Sequence, residues 1–450
     1  MARQNYYYSI AAIALMATGV SARADDSVTV NGITFYGTVD LGVTYESHGT
    51  PSSGYGNVGD LYLIQKQSNR SSLNLAQSGM GQSKIGLKGA EDLGDGWTGL
   101  FKLETPINPM GGNVTDALKS VATNNGVAQQ SQNAGIDSSR GANPFSQAAY
   151  VGISNSTYGT LTAGRQTTLQ ADAISAYDPL YTSYAFSLIG FSGTAAGAGA
   201  TEDSRWDNSV KYLASYGPFR AALNYGFAGS LGRNDTGFAA DVGADAAGLS
   251  VDAVLTHKKD EANASSLSAA QLLSVTSLGY SSASSLAFTV HDDTTLTLAA
   301  RYNLASNATL FAGYEHIASS NPSSPLPVGF NDMGYTGAVV NNAAFPRTRV
   351  LQYAWVGGRY FATPKIEFDA AWYYVNQNAY GIGANAGCSG TQSGTCSGAE
   401  NVGSVIADYH FTKKVDLYAG VAYSQVTGGL ASGYFHNNNV SPTVGLRYVF

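Results

Sequence analysis

The feature that most limits what this chain can fold into is a hairpin that recurs along its whole length. Short turn signals lie at 92–96, 155–159, 216–218, 245–248, 305–307, 362–364 and 412–414, most of them carrying Gly, Pro, Asn or Asp. Between them run long connections such as 106–145, 169–205, 259–293, 318–348, 377–401 and 427–438. Short and long alternate, so the short turns gather at one end of a sheet and the long loops at the other. Seven short turns join two strands each, and a strand at each terminus brings the total to 16. An even number suits a single-chain antiparallel transmembrane β-barrel, and the expected fold is all-β.

The strands alternate with a period of two. Phe219, Leu223, Tyr225 and Phe227 oppose Arg220 and Asn224; Ile366, Phe368, Trp372 and Tyr374 oppose Lys365, Glu367 and Asp369. Sixteen strands enclose more space than side chains can fill, so the apolar face should meet lipid and the charged face water. In the last residues Val444, Leu446, Tyr448 and Phe450 share one face, and Thr443, Gly445 and Arg447 the other. A chain that ends mid-pattern on an aromatic needs a partner for that edge. The expected partner is the first strand, 33–45, whose pairing closes the barrel. Lys211-Tyr212, Arg301-Tyr302, Arg359-Tyr360, Asp408-Tyr409 and Arg447-Tyr448 each precede a short turn or the terminus, with tyrosine in apolar register. That pattern predicts an aromatic girdle at the short-turn interface, with the charges turned inward.

Only 12% of residues are charged, and no run approaches the ~20 apolar residues of a membrane helix. The apolar run 10–20 follows Arg3 and precedes Ala22-Arg23-Ala24, so 1–24 reads as a secretory signal peptide and 25–450 as the barrel. Without Arg3 and Arg23 the 24 basic residues fall to 22 against 31 acids, a net charge of −9. That balance excludes nucleic acid as a natural partner. Cys388 and Cys396 are the only cysteines. In an exported chain they are expected to form a disulfide within an exposed loop, and a metal site there would want more ligands than the neighbourhood offers.

Several stretches together resemble the general porins of the Gram-negative outer membrane. They are Phe35-Tyr36-Gly37-Thr38-Val39-Asp40, Gly86-Leu87-Lys88-Gly89-Ala90-Glu91-Asp92-Leu93-Gly94, Tyr158-Gly159-Thr160-Leu161-Thr162-Ala163-Gly164-Arg165-Gln166 and Asp408-Tyr409-His410-Phe411-Thr412-Lys413-Lys414. The ending Leu446-Arg447-Tyr448-Val449-Phe450 looks like the terminal aromatic signal, Tyr448 and Phe450, read by the barrel assembly machinery. The resemblance implies a homotrimer set in outer-membrane lipid, with short periplasmic turns and long extracellular loops. It also implies passive diffusion of small hydrophilic solutes and ions, without a cofactor. The third loop, 169–205, should fold into the lumen as a constriction, carrying Asp172, Asp178, Glu202 and Asp203. Where some relatives have Pro-Glu-Phe-Gly in this loop, the chain has Asp178-Pro179-Leu180-Tyr181.

On the opposing wall, Lys84, Lys88 and Lys102 have lumen parity. Family position puts Arg165 beside them, yet strict alternation puts it on the face of Leu161 and Ala163. Either the strand ends before it, or a bulge re-aims it, or it is an interfacial arginine. Acids and bases of lumen parity balance, so the acidic loop should make the pore weakly cation-selective. An enzymatic barrel would need a histidine beside a nucleophile and an orienting acid; His48, His257, His291, His316, His410 and His436 are scattered without a serine or metal motif. A secreted β-solenoid adhesin would need a short fixed repeat, and the hairpin spacing is irregular.

Overall fold

The computed structural model describes residues 28–49, 62–64, 68–112, 114, 134–135, 144–190, 204–228, 236–260, 263–264, 288–289, 292–323, 347–383 and 394–450. The expected signal peptide lies outside them, as do Glu202, Asp203 and Cys388. The barrel opens with β1 (Ile33–Gly49), a two-part β2 (Arg70–Gln77 and Lys84–Gly94), β3 (Trp97–Pro106) and β4 (Ala148–Asn155). Next come β5 (Gly159–Thr167), β6 (Arg205–Tyr216), β7 (Phe219–Gly226), β8 (Gly237–Ala246) and β9 (Leu249–Lys258). Then follow β10 (Asp292–Ala305), β11 (Ala308–Ser320), β12 (Arg349–Thr363) and β13 (Ile366–Gln377). The last three are β14 (Gly398–His410), β15 (Val415–Gly428) and β16 (Asn438–Val449). Every neighbouring pair is antiparallel, and β1 pairs with β16, so 16 strands close as expected. All seven short turns fall where the sequence puts them.

The seam runs from Thr38 opposite Val449 to Thr44 opposite Thr443. Gly37 and Phe450 extend it by exchanging backbone hydrogen bonds of 2.9 and 3.0 Å. Beyond Phe450 the strand Val28–Val30 takes over the same edge of β1. The Phe450 ring lies 5.4 Å from Phe35 and 6.1 Å from Tyr448. The edge of β1 is thus paired both along β16 and beyond its end.

Arg70–Gln77 is a strand that alternation barely announces, since only Leu73 and Leu75 mark its outer face. The corner between the two parts of β2 is held by Asp40, whose Oδ2 accepts from the Met80 and Gly81 amides at 2.8 and 3.0 Å. Its Oδ1 accepts from the Tyr418 hydroxyl at 2.7 Å. The first loop also dips inward: Tyr62, Leu63 and Ile64 are buried, and Ile64 N donates to Ser424 Oγ at 2.9 Å.

Facing follows the sequence closely. The girdle tyrosines Tyr212, Tyr302, Tyr360, Tyr409 and Tyr448 are 38–50% exposed, while Lys211 and Asp408, which precede two of them, are buried. Leu223, Val251, Leu255, Phe368 and Trp372 also point out. An apolar exterior around a charged interior inverts a soluble core and fits a wall in contact with lipid.

Tyr418 lies across Gly445 at the seam, where a Cβ would strike its hydroxyl. Gly445→Val should displace Tyr418 from Asp40 and destabilise the barrel by about 1–3 kcal/mol, the usual range for overpacking. The urea midpoint of the vesicle-embedded protein checks this, and an unchanged midpoint refutes the packing.

Candidate pore constriction

After β5 the chain turns into α1 (Leu169–Tyr177). Thr168 caps it, its hydroxyl accepting from Ala171 N at 3.1 Å, and Asp172 sits in the first turn where the helix dipole favours an acid. Leu169 and Ala173 pack into a cluster with Trp206, Ala222, Ala239 and Val254, which fixes the helix to β6–β9. Ile174 and Tyr177 face a larger cluster with Phe186, Trp355 and Tyr373.

From here the loop crosses the lumen, anchored strand by strand. Gln170 Nε2 donates to Thr297 on β10 at 2.5 Å and to Glu315 on β11. The Tyr177 hydroxyl donates to Asp252 on β9 at 2.6 Å, and Trp355 on β12 donates to the Tyr177 carbonyl at 3.0 Å. Arg359 on β12 grips the carbonyls of Asp178 and Pro179, both at 2.7 Å. Tyr181 donates to Glu367 on β13 at 2.5 Å, and Ser404 on β14 donates to the Phe186 carbonyl at 2.6 Å. A segment that touches the inward faces of β9 through β14 lies inside the barrel.

Asp178 organises the turn. It is fully buried, accepts from Tyr373 at 2.5 Å, and takes the Leu180 and Thr182 amides at 3.3 and 2.6 Å. Those contacts hold Tyr181 and Thr182 in left-handed conformations, φ 59° and 53°, which neither residue adopts readily. The Arg359 guanidinium stacks on the Tyr181 ring at 3.3 Å. Burial pushes the Asp178 carboxyl above its ordinary range, against the pull of its hydrogen bonds.

The open space left between the loop and β2–β6 is lined by charged residues of mostly one sign. Lys84, Lys102, Arg205, Lys211 and Arg447 border it, with Glu104 as the acid among them. Glu104 Oε2 lies 3.4 Å from both Lys84 and Lys102 and accepts from the Tyr36 hydroxyl at 2.8 Å. Lys88 sits farther along the same strand, its ammonium 5.4 Å from the Tyr36 ring centre. Lys211 is paired with Asp172 at 2.7 Å and Arg447 with Asp416 at 2.7 Å. Among the described residues, Lys84, Lys102 and Arg205 against Glu104 leave a positive surplus on this wall.

The expected cation preference rests on loop acids that face the open space. Asp172 is neutralised by Lys211, and Asp178 is turned into the packing with no face toward the open space. Arg165 also departs from its family position. The ladder between β5 and β6 slips between Gly164 and Gln166, with Gly164 at φ 132°. Gln166 borders the open space, while Arg165 pairs with Asp207 at 2.6 Å and donates to the Ser146 carbonyl at 2.5 Å. The bulge does not bring it into the lining. Cys396 is disulfide-bonded and itself buried, between exposed Gly394 and Ser397. Arg447 lines the space as its inward parity predicts, while sequence alone missed Arg205 as a wall residue and Tyr181 as an anchor. A charge beginning a strand was the one available signal for Arg205.

Asp178→Ala removes the acceptor that three donors share, at a cost of roughly 1–3 kcal/mol for each buried donor left without a partner. Open-channel current in a planar bilayer should become noisier and the loop more sensitive to protease. Current noise and cleavage like the parent's would show that Asp178 does not hold the loop.

Sequence comparison places this geometry. The sequence model of the Gram-negative porin family matches residues 11–429. An outer membrane porin protein of Bordetella pertussis is 28% identical over 219 residues, covering 48% of this chain and 47% of its own. Outer membrane porin protein 32 of Delftia acidovorans is 28% identical over 243 residues, 52% of this chain and 55% of its own. The chain thus spans about half the length of the curated relatives it matches. Among solved structures, an anion-selective porin from Comamonas acidovorans superposes with a TM-score of 0.60 at 18% identity, covering 93% of this chain and 99% of that one. The loop L8 deletion form of OmpT, an outer membrane protein of Vibrio cholerae, gives 0.57 at 16% identity, over 93% and 99%. At such identities the likeness carries the fold. With the family match spanning nearly the whole sequence and a closed barrel of 16 strands wearing its apolar face outside, the chain belongs to the Gram-negative porins and is a β-barrel of the outer membrane.

Proposed function

We propose that the protein is a passive diffusion channel for small hydrophilic solutes, with a preference for anions. The observation that carries this is the basic wall of Lys84, Lys102 and Arg205 facing the open side of a loop whose described acids are already engaged. A fixed charge at a constriction acts over the Debye length, ~10 Å at 0.1 M salt, so a few uncompensated cations there bias the ions that pass. No bond is made or broken in such passage, and no catalytic step is assigned. Segment 169–205 is the constriction loop in this reading, although its acids Glu202 and Asp203 lie outside the described residues.

A homotrimer is part of the proposal, supported by family membership and by a Vibrio cholerae OmpT structure described as a trimer form. Outer-membrane lipid is the partner of the apolar exterior, and the barrel assembly machinery the expected reader of Tyr448 and Phe450.

Reversal potential under a KCl gradient tests the sign. The wild-type channel should favour chloride, more strongly at low salt. The double variant Lys84→Gln, Lys102→Gln should lose most of that preference, because Glu104 then stands unopposed by its two nearest cations. Cation preference in the wild type, or a potential unmoved by the double variant, overturns the assignment.

A further inference from the structure

Away from the open space, at the short-turn end of the lumen wall, five strand residues meet in a buried cluster. Glu367 on β13 lies directly opposite Asp408 on β14, and His410 on β14 lies opposite Asp416 on β15. Two carboxylates facing each other across a ladder repel, more so when both are buried. Asp369, two residues along β13, adds a third, 3% exposed, and neither of its oxygens accepts a hydrogen bond. Asp408, 2% exposed, has Oδ1 equally without a donor. Buried carboxylate oxygens without donors mark a site that wants a cation.

The histidine is arranged as metal-bound histidines are. Its Nδ1 meets Asp416 Oδ1 at 2.6 Å, and Asp416 is itself gripped by Arg447 through Nε at 3.0 Å and Nη2 at 2.7 Å. A carboxylate on one ring nitrogen fixes the tautomer and leaves the other as a ligand. That other nitrogen, Nε2, faces Glu367 Oε2 at 3.1 Å. Ligand atoms of Glu367, Asp408 and His410 all lie within 4.8 Å of one another. Small side-chain rotations bring them to the ~2.0–2.2 Å shell of a zinc-like ion.

We propose that Glu367, Asp408 and His410 form a buried site for a divalent transition-metal ion such as Zn²⁺, with Asp416 as a positioning residue. One imidazole with carboxylates is a donor set suited to zinc and its neighbours rather than to calcium or magnesium. The ion would also stiffen the constriction, because Glu367 Oε1 accepts from Tyr181 of the loop.

The test uses the folded, full-length protein in detergent, stripped with chelator and titrated with Zn²⁺. One ion per chain should bind, and X-ray absorption of the loaded protein should show nitrogen and oxygen ligands with one imidazole. His410→Gln and Asp408→Asn should each weaken binding by 100-fold or more while the heat-modifiable folded band persists. Asp416→Asn should weaken it ~10–100-fold, as loss of a carboxylate behind a ligand does. Absence of stoichiometric zinc in the wild type overturns the site, and the cluster is then an imidazolium held between carboxylates. Undiminished binding by His410→Gln overturns it too, moving the ion to the stacked His48–His436 pair, whose ring centres are 4.0 Å apart. Neither result bears on conduction, so this proposal and the channel assignment fail separately.

Discussion

Hydrocarbon offers no hydrogen bonds, so a chain that crosses it with strands must pair every edge. That requirement places the last residue. Phe450 has to reach Gly37, and Val28–Val30 takes over the ladder where Phe450 stops. It also explains why so much is tied together at one seam. Gly445 leaves room for Tyr418, Tyr418 reaches Asp40, and Asp40 captures the amides of the corner that splits β2. Closure, the break in the second strand and the packing of the inner wall there form one continuous network.

The third loop shows the reverse dependence, in which the wall decides the conformation of what it encloses. A nine-residue helix is too short to persist alone in water. The turn after it contains two left-handed residues that would relax if released. Both are imposed by contacts from the barrel: the Trp206 cluster beneath α1, Arg359 on two consecutive carbonyls, and Tyr373 on Asp178. Stiffness in the loop is therefore borrowed from the most cooperative part of the molecule.

This difference sets what could be read from the sequence. Period-two alternation is local and repeats, so seven turns, 16 strands, the seam and the tyrosine girdle were legible. Arg70–Gln77 escaped because two leucines are a weak pattern. The slip at Gly164 was one of the readings open for Arg165, but a single glycine gives no direction to a bulge. Contacts such as Tyr181 to Glu367, or the meeting of His410 with residues of β13 and β15, join positions brought together only by closure. No spacing along the chain encodes them. The resemblance to porins supplied the inward loop but misplaced Arg165, since family position does not resolve which way a bulged residue turns.

Counting charges by parity says less about a filled barrel than about an empty one. Parity says which side chains point inward; it does not say which of them meet the water. The loop lies on the acidic half of the wall, and its donors find those acids one at a time: Tyr177 reaches Asp252, Gln170 reaches Glu315 and Tyr181 reaches Glu367. Each of these carboxylates is covered by the contact that uses it. On the other half, Lys84, Lys102 and Arg205 border the open space. Among the described residues, a wall near neutrality by composition thus presents a positive face to the open space. The sign of that face follows from where the loop docks, and the loop docks where hydrogen-bond acceptors for its tyrosines and Gln170 are concentrated. In the proposed channel, ion preference and loop anchoring are one arrangement, because the acids that hold the loop are withdrawn from the pore.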